Sequence, residues 1–118
     1  MTTRPTGERK VRHAARAAQD KKAVDLVVLD VGTLSSVTDY FLVCTGRSIT
    51  HVATIADAIR DGLKELDVRP LHTEGVSESG WILLDYGDVL VHVFLEETRD
   101  YYALERLWGD APAVSLEG

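Results

Sequence analysis

Apolar positions along the chain follow two periods, and the changes between them delimit its elements. In residues 8–23, Val11, Ala14, Ala15 and Ala18 recur at i, i+3, i+4 and i+7 among Lys and Arg. This predicts an amphipathic helix with a small-residue face that must pack on something to be stable. Residues 26–31, Leu-Val-Val-Leu-Asp-Val, predict a buried strand. A connection rich in Gly, Ser and Thr covers 32–38, and a second strand covers 40–44. Ser48 is placed to cap a helix in which Val52, Ile55, Ile59, Leu63 and Leu66 form one stripe, ending near Asp67. Gly62 weakens that helix by ~1 kcal/mol relative to Ala. Residues 70–74 predict a short edge strand, where Pro70 is tolerated, and 75–80 a polar loop. Thr98 is placed to cap a last helix carrying Tyr101, Leu104 and Trp108 on one side, with Gly109 at its C′ position.

Between the edge strand and the last helix, two apolar runs flank Tyr86-Gly87. This is a hairpin signal, with Gly87 supplying the positive φ of a tight turn. With Tyr86 and Gly87 as the loop, Leu84 faces Val89, Leu83 faces Leu90, Ile82 faces Val91 and Trp81 faces His92. Strand alternation then puts Ile82, Leu84, Val89, Val91, Val93 and Leu95 on one side. Trp81, Leu83, Asp85, Asp88, Leu90, His92, Phe94 and Glu96 fall on the other. The first set is aliphatic and belongs in a core against the 48–67 helix, each residue contributing ~1.5–3 kcal/mol. The second mixes aromatics, a histidine and carboxylates. It is either a docking surface or a sheet face covered by another element of the same chain.

The order of elements describes one α/β domain, a mixed sheet of about five strands with helices mainly on one face. Residues 1–7 read as a flexible lead-in, 8–110 as the domain and 111–118 as a flexible tail. At 118 residues the chain suits a single domain with a modest core.

Charge narrows the choice of partner. The net charge of −6 divides into +5 over residues 1–22 and −11 over residues 23–118. The acidic body repels nucleic acid and suits a basic protein. The basic start reads as a solvated helix face, with RNA contact as the alternative. No apolar run approaches the ~20 residues of a membrane helix. The N-terminus lacks the apolar stretch of a secretory signal. Cys44 is the only cysteine, so no internal disulfide forms. These features favour a cytoplasmic protein with no membrane partner and no sequence-specific nucleic acid.

Catalytic sets are missing. The chain has no Cys/His cluster of zinc-binding spacing, no P-loop, no Gly-x-Gly-x-x-Gly and no Gly-x-Ser-x-Gly. No metal or cofactor is expected. The Gly46-Arg47-Ser48 junction offers N–H groups to an anion or is a simple turn. With Asp39 as its carboxylate, it frames the enzymatic alternative, a nucleotide-binding or nucleotidyltransferase-like protein. His92 reads as a general base or an interface histidine, and no nucleophile or metal set accompanies it.

The ordered motifs carry one more reading. They are Thr38-Asp39-Tyr40-Phe41, Cys44-Thr45-Gly46, Glu74-Gly75, the run from Trp81 to Asp88, Val91-His92-Val93-Phe94 and the run from Arg99 to Trp108. Together, over residues 8–110, they closely resemble the ribosomal silencing factor family, also called Iojap-like. The resemblance implies a non-catalytic translation repressor with an α/β fold distantly similar to nucleotidyltransferases. It implies binding to the large ribosomal subunit through ribosomal protein L-fourteen, blocking small-subunit joining when nutrients run short. It also implies self-association as a homodimer. The absence of spaced strand carboxylates sets this chain apart from active nucleotidyltransferases. On this reading the partner-binding residues are Trp81, Leu83, Leu90, His92 and Phe94 at a patch centre. Glu74 and Asp85 form a rim facing Lys or Arg.

Overall fold

The computed structural model describes residues 6–32, 38–97 and Val114. Helix α1 (Gly7–Asp20) starts at Thr6, whose hydroxyl accepts the Arg9 N–H at 3.1 Å. Its small-residue face, Val11, Ala14, Ala15 and Ala18, is buried. Helix α2 (Ile49–Lys64) is capped by Ser48, which accepts the His51 N–H at 3.0 Å. Val52, Ile55, Ala56, Ile59 and Leu63 form its buried stripe. Leu66 lies past the helix end and is half-buried against the same core. Gly62 sits where α2 meets α1, since a Cβ there would come within 3.2 Å of the Ala17 Cβ. The glycine that weakens the helix therefore lets the two helices approach closely.

Five strands form one sheet: β1 (Val24–Asp30), β2 (Tyr40–Gly46), β3 (His72–Val76), β4 (Trp81–Asp85) and β5 (Val89–Leu95), in the order β1-β2-β5-β4-β3. The β2–β5 pair is parallel and the other three pairs are antiparallel. Both helices pack on the same face, where Leu42, Cys44, Ile82, Leu84, Val89, Val91 and Val93 meet their apolar stripes. This is the mixed α/β domain that the periodicity predicts.

The hairpin differs in one respect. Tyr86 donates its N–H to the Val89 carbonyl at 2.9 Å, so the loop is Gly87-Asp88 rather than Tyr86-Gly87. Trp81 pairs with Phe94, Ile82 with Val93, Leu83 with His92, Leu84 with Val91 and Asp85 with Leu90. The reason is local: Asp85 Oδ1 accepts the Gly87 N–H at 2.8 Å, and Gly87 takes φ 87°. Sliding the turn by one residue shifts every pairing by two, so each side chain keeps its predicted face.

The edge strand also differs. It runs from His72 to Val76 instead of covering 70–74, and all five residues are exposed. Gly75 and Val76, expected in a loop, extend it. A short 3₁₀ turn, Ser77–Ser79, leads into β4. At the far end β5 stops at Leu95. Glu96 and Glu97 are exposed and already helical. Glu96 therefore does not extend the strand face. The expected last helix with its Thr98 cap, the 33–37 connection, residues 1–5 and the expected tail apart from Val114 lie outside the described residues. Val114 donates its N–H to the Val28 carbonyl at 2.8 Å and packs on the core. Among the described residues, no helix is long and apolar enough to cross a membrane.

A hydroxyl is stranded in the core. Tyr86 is buried, and among the described residues its hydroxyl has no hydrogen-bond partner. Burial pushes its pKa up to about 12, against the opposing pull of Arg60. Tyr86→Phe should leave urea stability unchanged or raise it by up to about 1 kcal/mol, because it removes a desolvated group without a partner. A clear loss of stability would refute the stranded hydroxyl.

Candidate docking surface

Pairing register arranges the face opposite the helices into three rows running inward from the β3 edge. The first is Val76, Trp81, Phe94 and Thr45; the second is Glu74, Leu83, His92 and Val43. The third is His72, Asp85, Leu90, Phe41 and Leu29. Exposure falls along each row. In the first, Val76 is 57% exposed, Trp81 is half-buried and Phe94 is 1% exposed. In the second, Glu74 is exposed, Leu83 half-buried, His92 8% exposed and Val43 fully buried. Asp85 and Leu90 are half-buried, between exposed His72 and buried Phe41.

The cause is a second apolar cluster on this face. Leu29, Val31, Phe41, Val43 and Phe94 are buried together, with Val27, Trp81 and Leu90 packed against them. Phe94 and His92 are therefore not surface residues at a patch centre, as the sequence suggests. They form the floor beside it. The inner half of the mixed face is core, and its outer half is an accessible strip. That strip joins Trp81, Leu83 and Leu90 to Glu74 and Asp85, and adds Val76, which sequence reasoning leaves in a loop. The alternation of His72, Glu74 and Val76 was the available signal.

The polar groups of the strip are partly committed. Glu74 Oε1 lies 2.9 Å from His72 Nε2. One oxygen of Asp85 holds the hairpin turn. The Trp81 indole N–H donates to His92 Nδ1 at 3.3 Å. Burial pushes the His92 pKa down to about 4, so the ring is neutral near pH 7, and among the described residues its Nε2 has no partner.

At the Gly46-Arg47-Ser48 junction, the Arg47 N–H is taken by His51 Nδ1 at 2.9 Å and the His51 N–H by Ser48 Oγ. His51 Nε2, the protonated nitrogen in that arrangement, reaches the Lys21 carbonyl at 2.7 Å and ties α1 to the junction. Gly46 is explained by packing, since a Cβ there would lie 2.8 Å from the Val52 backbone nitrogen. Asp39 is exposed. Among the described residues, no three His, Cys, Asp or Glu side chains converge as metal ligands. The basic helix α1 carries counter-ions: Arg12 lies 3.2 Å from Glu8 and Lys10 2.7 Å from Asp88.

Residues 4–118 match the family model described as "Ribosomal silencing factor during starvation". The chain belongs to this ribosomal silencing factor family. It is 47% identical over 104 residues to the ribosomal silencing factor RsfS of Bacillus subtilis, covering 88% of each chain. It is 31% identical over 93 residues to the mouse protein named mitochondrial assembly of ribosomal large subunit protein 1. That match covers 76% of this chain and 41% of the mouse protein. A crystal structure from Chromobacterium violaceum is similar with a TM-score of 0.85 at 37% identity, covering 89% of this chain and 88% of that one. The silencing-factor motifs read from the sequence fall on identifiable parts of the fold. Cys44-Thr45-Gly46 ends β2 where α2 crosses it. Glu74-Gly75 lies in the edge strand, and the run from Trp81 to Asp88 makes β4 and its turn.

Proposed function

We propose that this silencing factor represses translation in the cytoplasm by docking on the large ribosomal subunit through ribosomal protein L-fourteen. It thereby blocks small-subunit joining sterically when nutrients run short. The observation that carries the proposal is the accessible apolar strip around half-buried Trp81, flanked by Glu74 and Asp85 on a body of net charge −11 over residues 23–118. An acidic rim speeds encounter with a basic protein, and a desolvated tryptophan supplies affinity. The mouse relative's name also ties the family to the large ribosomal subunit. Occupying a joining surface requires no bond-making.

Trp81→Ala should lower affinity for purified large subunits by about 2 kcal/mol, roughly 30-fold, in co-sedimentation. It should release the block in a subunit-joining assay. A folded variant that co-sediments as wild type would sink the docking assignment. Self-association through the same exposed strip would compete with the ribosome, so dilution should then promote docking.

A further inference from the structure

We propose that His92 is the positioning residue for docking: its Nδ1 holds the indole N–H of Trp81 and sets the angle at which the indole is presented to the partner. The inference rests on the docking reading above. Trp81 and His92 lie diagonally across β4 and β5 on one face, because Trp81 pairs with Phe94 and Leu83 pairs with His92. The indole lies nearly parallel to the imidazole, with 6.3 Å between centroids and 21° between planes. The imidazole in turn is parallel to Phe94 within 4°, at 5.9 Å, and Phe41 meets it edge-on at 5.4 Å. Neighbours on two strands therefore fix the His92 ring, and His92 holds the half-exposed indole by its N–H while Phe94 stacks on it at 6.4 Å and 21°.

The chemistry explains why a histidine is there. A buried apolar floor would be served at least as well by leucine or phenylalanine. The imidazole instead leaves Nε2, the nitrogen bearing the proton when Nδ1 accepts, without a partner among the described residues. A desolvated, unpartnered donor is unfavourable. What the ring supplies in return is an acceptor at Nδ1, which neither hydrocarbon provides. The acceptor requires a neutral ring, and burial keeps it neutral by lowering its pKa to about 4. Trp81 thus reaches a partner already oriented, which reduces the ordering lost on binding.

Co-sedimentation with purified large subunits, using His92→Phe and His92→Asn, tests this. Phenylalanine keeps the ring stack and removes the acceptor; asparagine removes the ring and returns an acceptor oxygen near the place of Nδ1. His92→Phe should fold and bind about fivefold more weakly, the loss expected for one orienting hydrogen bond. Its Trp81 indole N–H resonance should move. His92→Asn should melt lower yet bind within about twofold of wild type. In the wild type, ring ¹⁵N shifts should show an unprotonated Nδ1. His92→Phe binding at wild-type strength while Trp81→Ala binds weakly would overturn the positioning role alone. Trp81→Ala binding at wild-type strength would overturn the docking reading and this role with it. A protonated Nδ1 in the wild type would overturn the role whatever the variants do.

Discussion

Gly75→Ala should weaken the pairing of β3 with β4 by about 3 kcal/mol. Gly75 adopts φ 79° inside a strand, and a Cβ there would lie 2.2 Å from the Trp81 carbonyl oxygen. A left-handed conformation costs alanine roughly 1–2 kcal/mol. The overlap is with backbone that pairs rigidly into the sheet, and overpacking of that kind adds roughly 1–3 kcal/mol. Where the strain goes depends on what holds β3. Its residues are all exposed and it pairs only with β4, so no apolar burial anchors it. The strain should therefore be released by local opening of the edge, leaving the helical core folded. Hydrogen exchange should accelerate about 100-fold at the β3–β4 amides, while amides in β2 and β5 change far less. Thr73→Ala on the same strand is the control and should stay within about 0.5 kcal/mol. Because Glu74 and Val76 belong to β3, ribosome docking should weaken as well. Wild-type exchange at the edge would refute the account.

The same glycine shows what a sequence reveals and what it hides. Gly75 next to Val76 and Ser77 reads as punctuation, because glycine and serine clusters usually mark loops. Here the glycine lets a strand pass close to a neighbouring carbonyl. The Ser48 cap and the buried stripes were legible because they depend on local spacing, whereas Thr6, which caps α1, was read as part of the lead-in. The hairpin faces were legible even with the turn displaced by one residue, because alternation is insensitive to a shift of two in pairing. The site was less legible. Alternation assigned Trp81, Leu83, Leu90, His92 and Phe94 to one face, but a strand pattern does not say which part of a face is covered. The clue lay in β1 and β2, whose apolar runs in 26–31 and 40–44 are continuous rather than alternating. A strand apolar on both sides is buried on both sides, and the second cluster of Leu29, Val31, Phe41, Val43 and Phe94 is that burial.

Acid should destabilise the protein through His92. Burial lowers the folded-state pKa to about 4 from 6.5. The folded state therefore excludes a proton that the unfolded chain accepts. Stability from this group is complete above the unfolded pKa and is lost as pH falls from about 6.5 toward 4, after which both states are protonated and no further loss occurs. Proton linkage sets the size at about 2 kcal/mol by pH 5 and about 3 kcal/mol by pH 4. Other ionisable side chains lie nearby: His72 and Glu74 from β3 and Asp85 from β4 share this face, and α1 and α2 carry His13 and His51. Comparison with His92→Phe largely removes these contributions, because they are present in both proteins. Urea unfolding of the pair from pH 7 to pH 4 should give curves that diverge by these amounts, with wild type losing more. Parallel curves would mean that the folded protein protonates His92 as readily as water does. Protonation also places a hydrogen on Nδ1, the atom that accepts the Trp81 indole N–H. In the folded state that proton is taken up near pH 4, so the indole N–H resonance should hold steady while the two stability curves diverge and should shift near pH 4, where the divergence levels off.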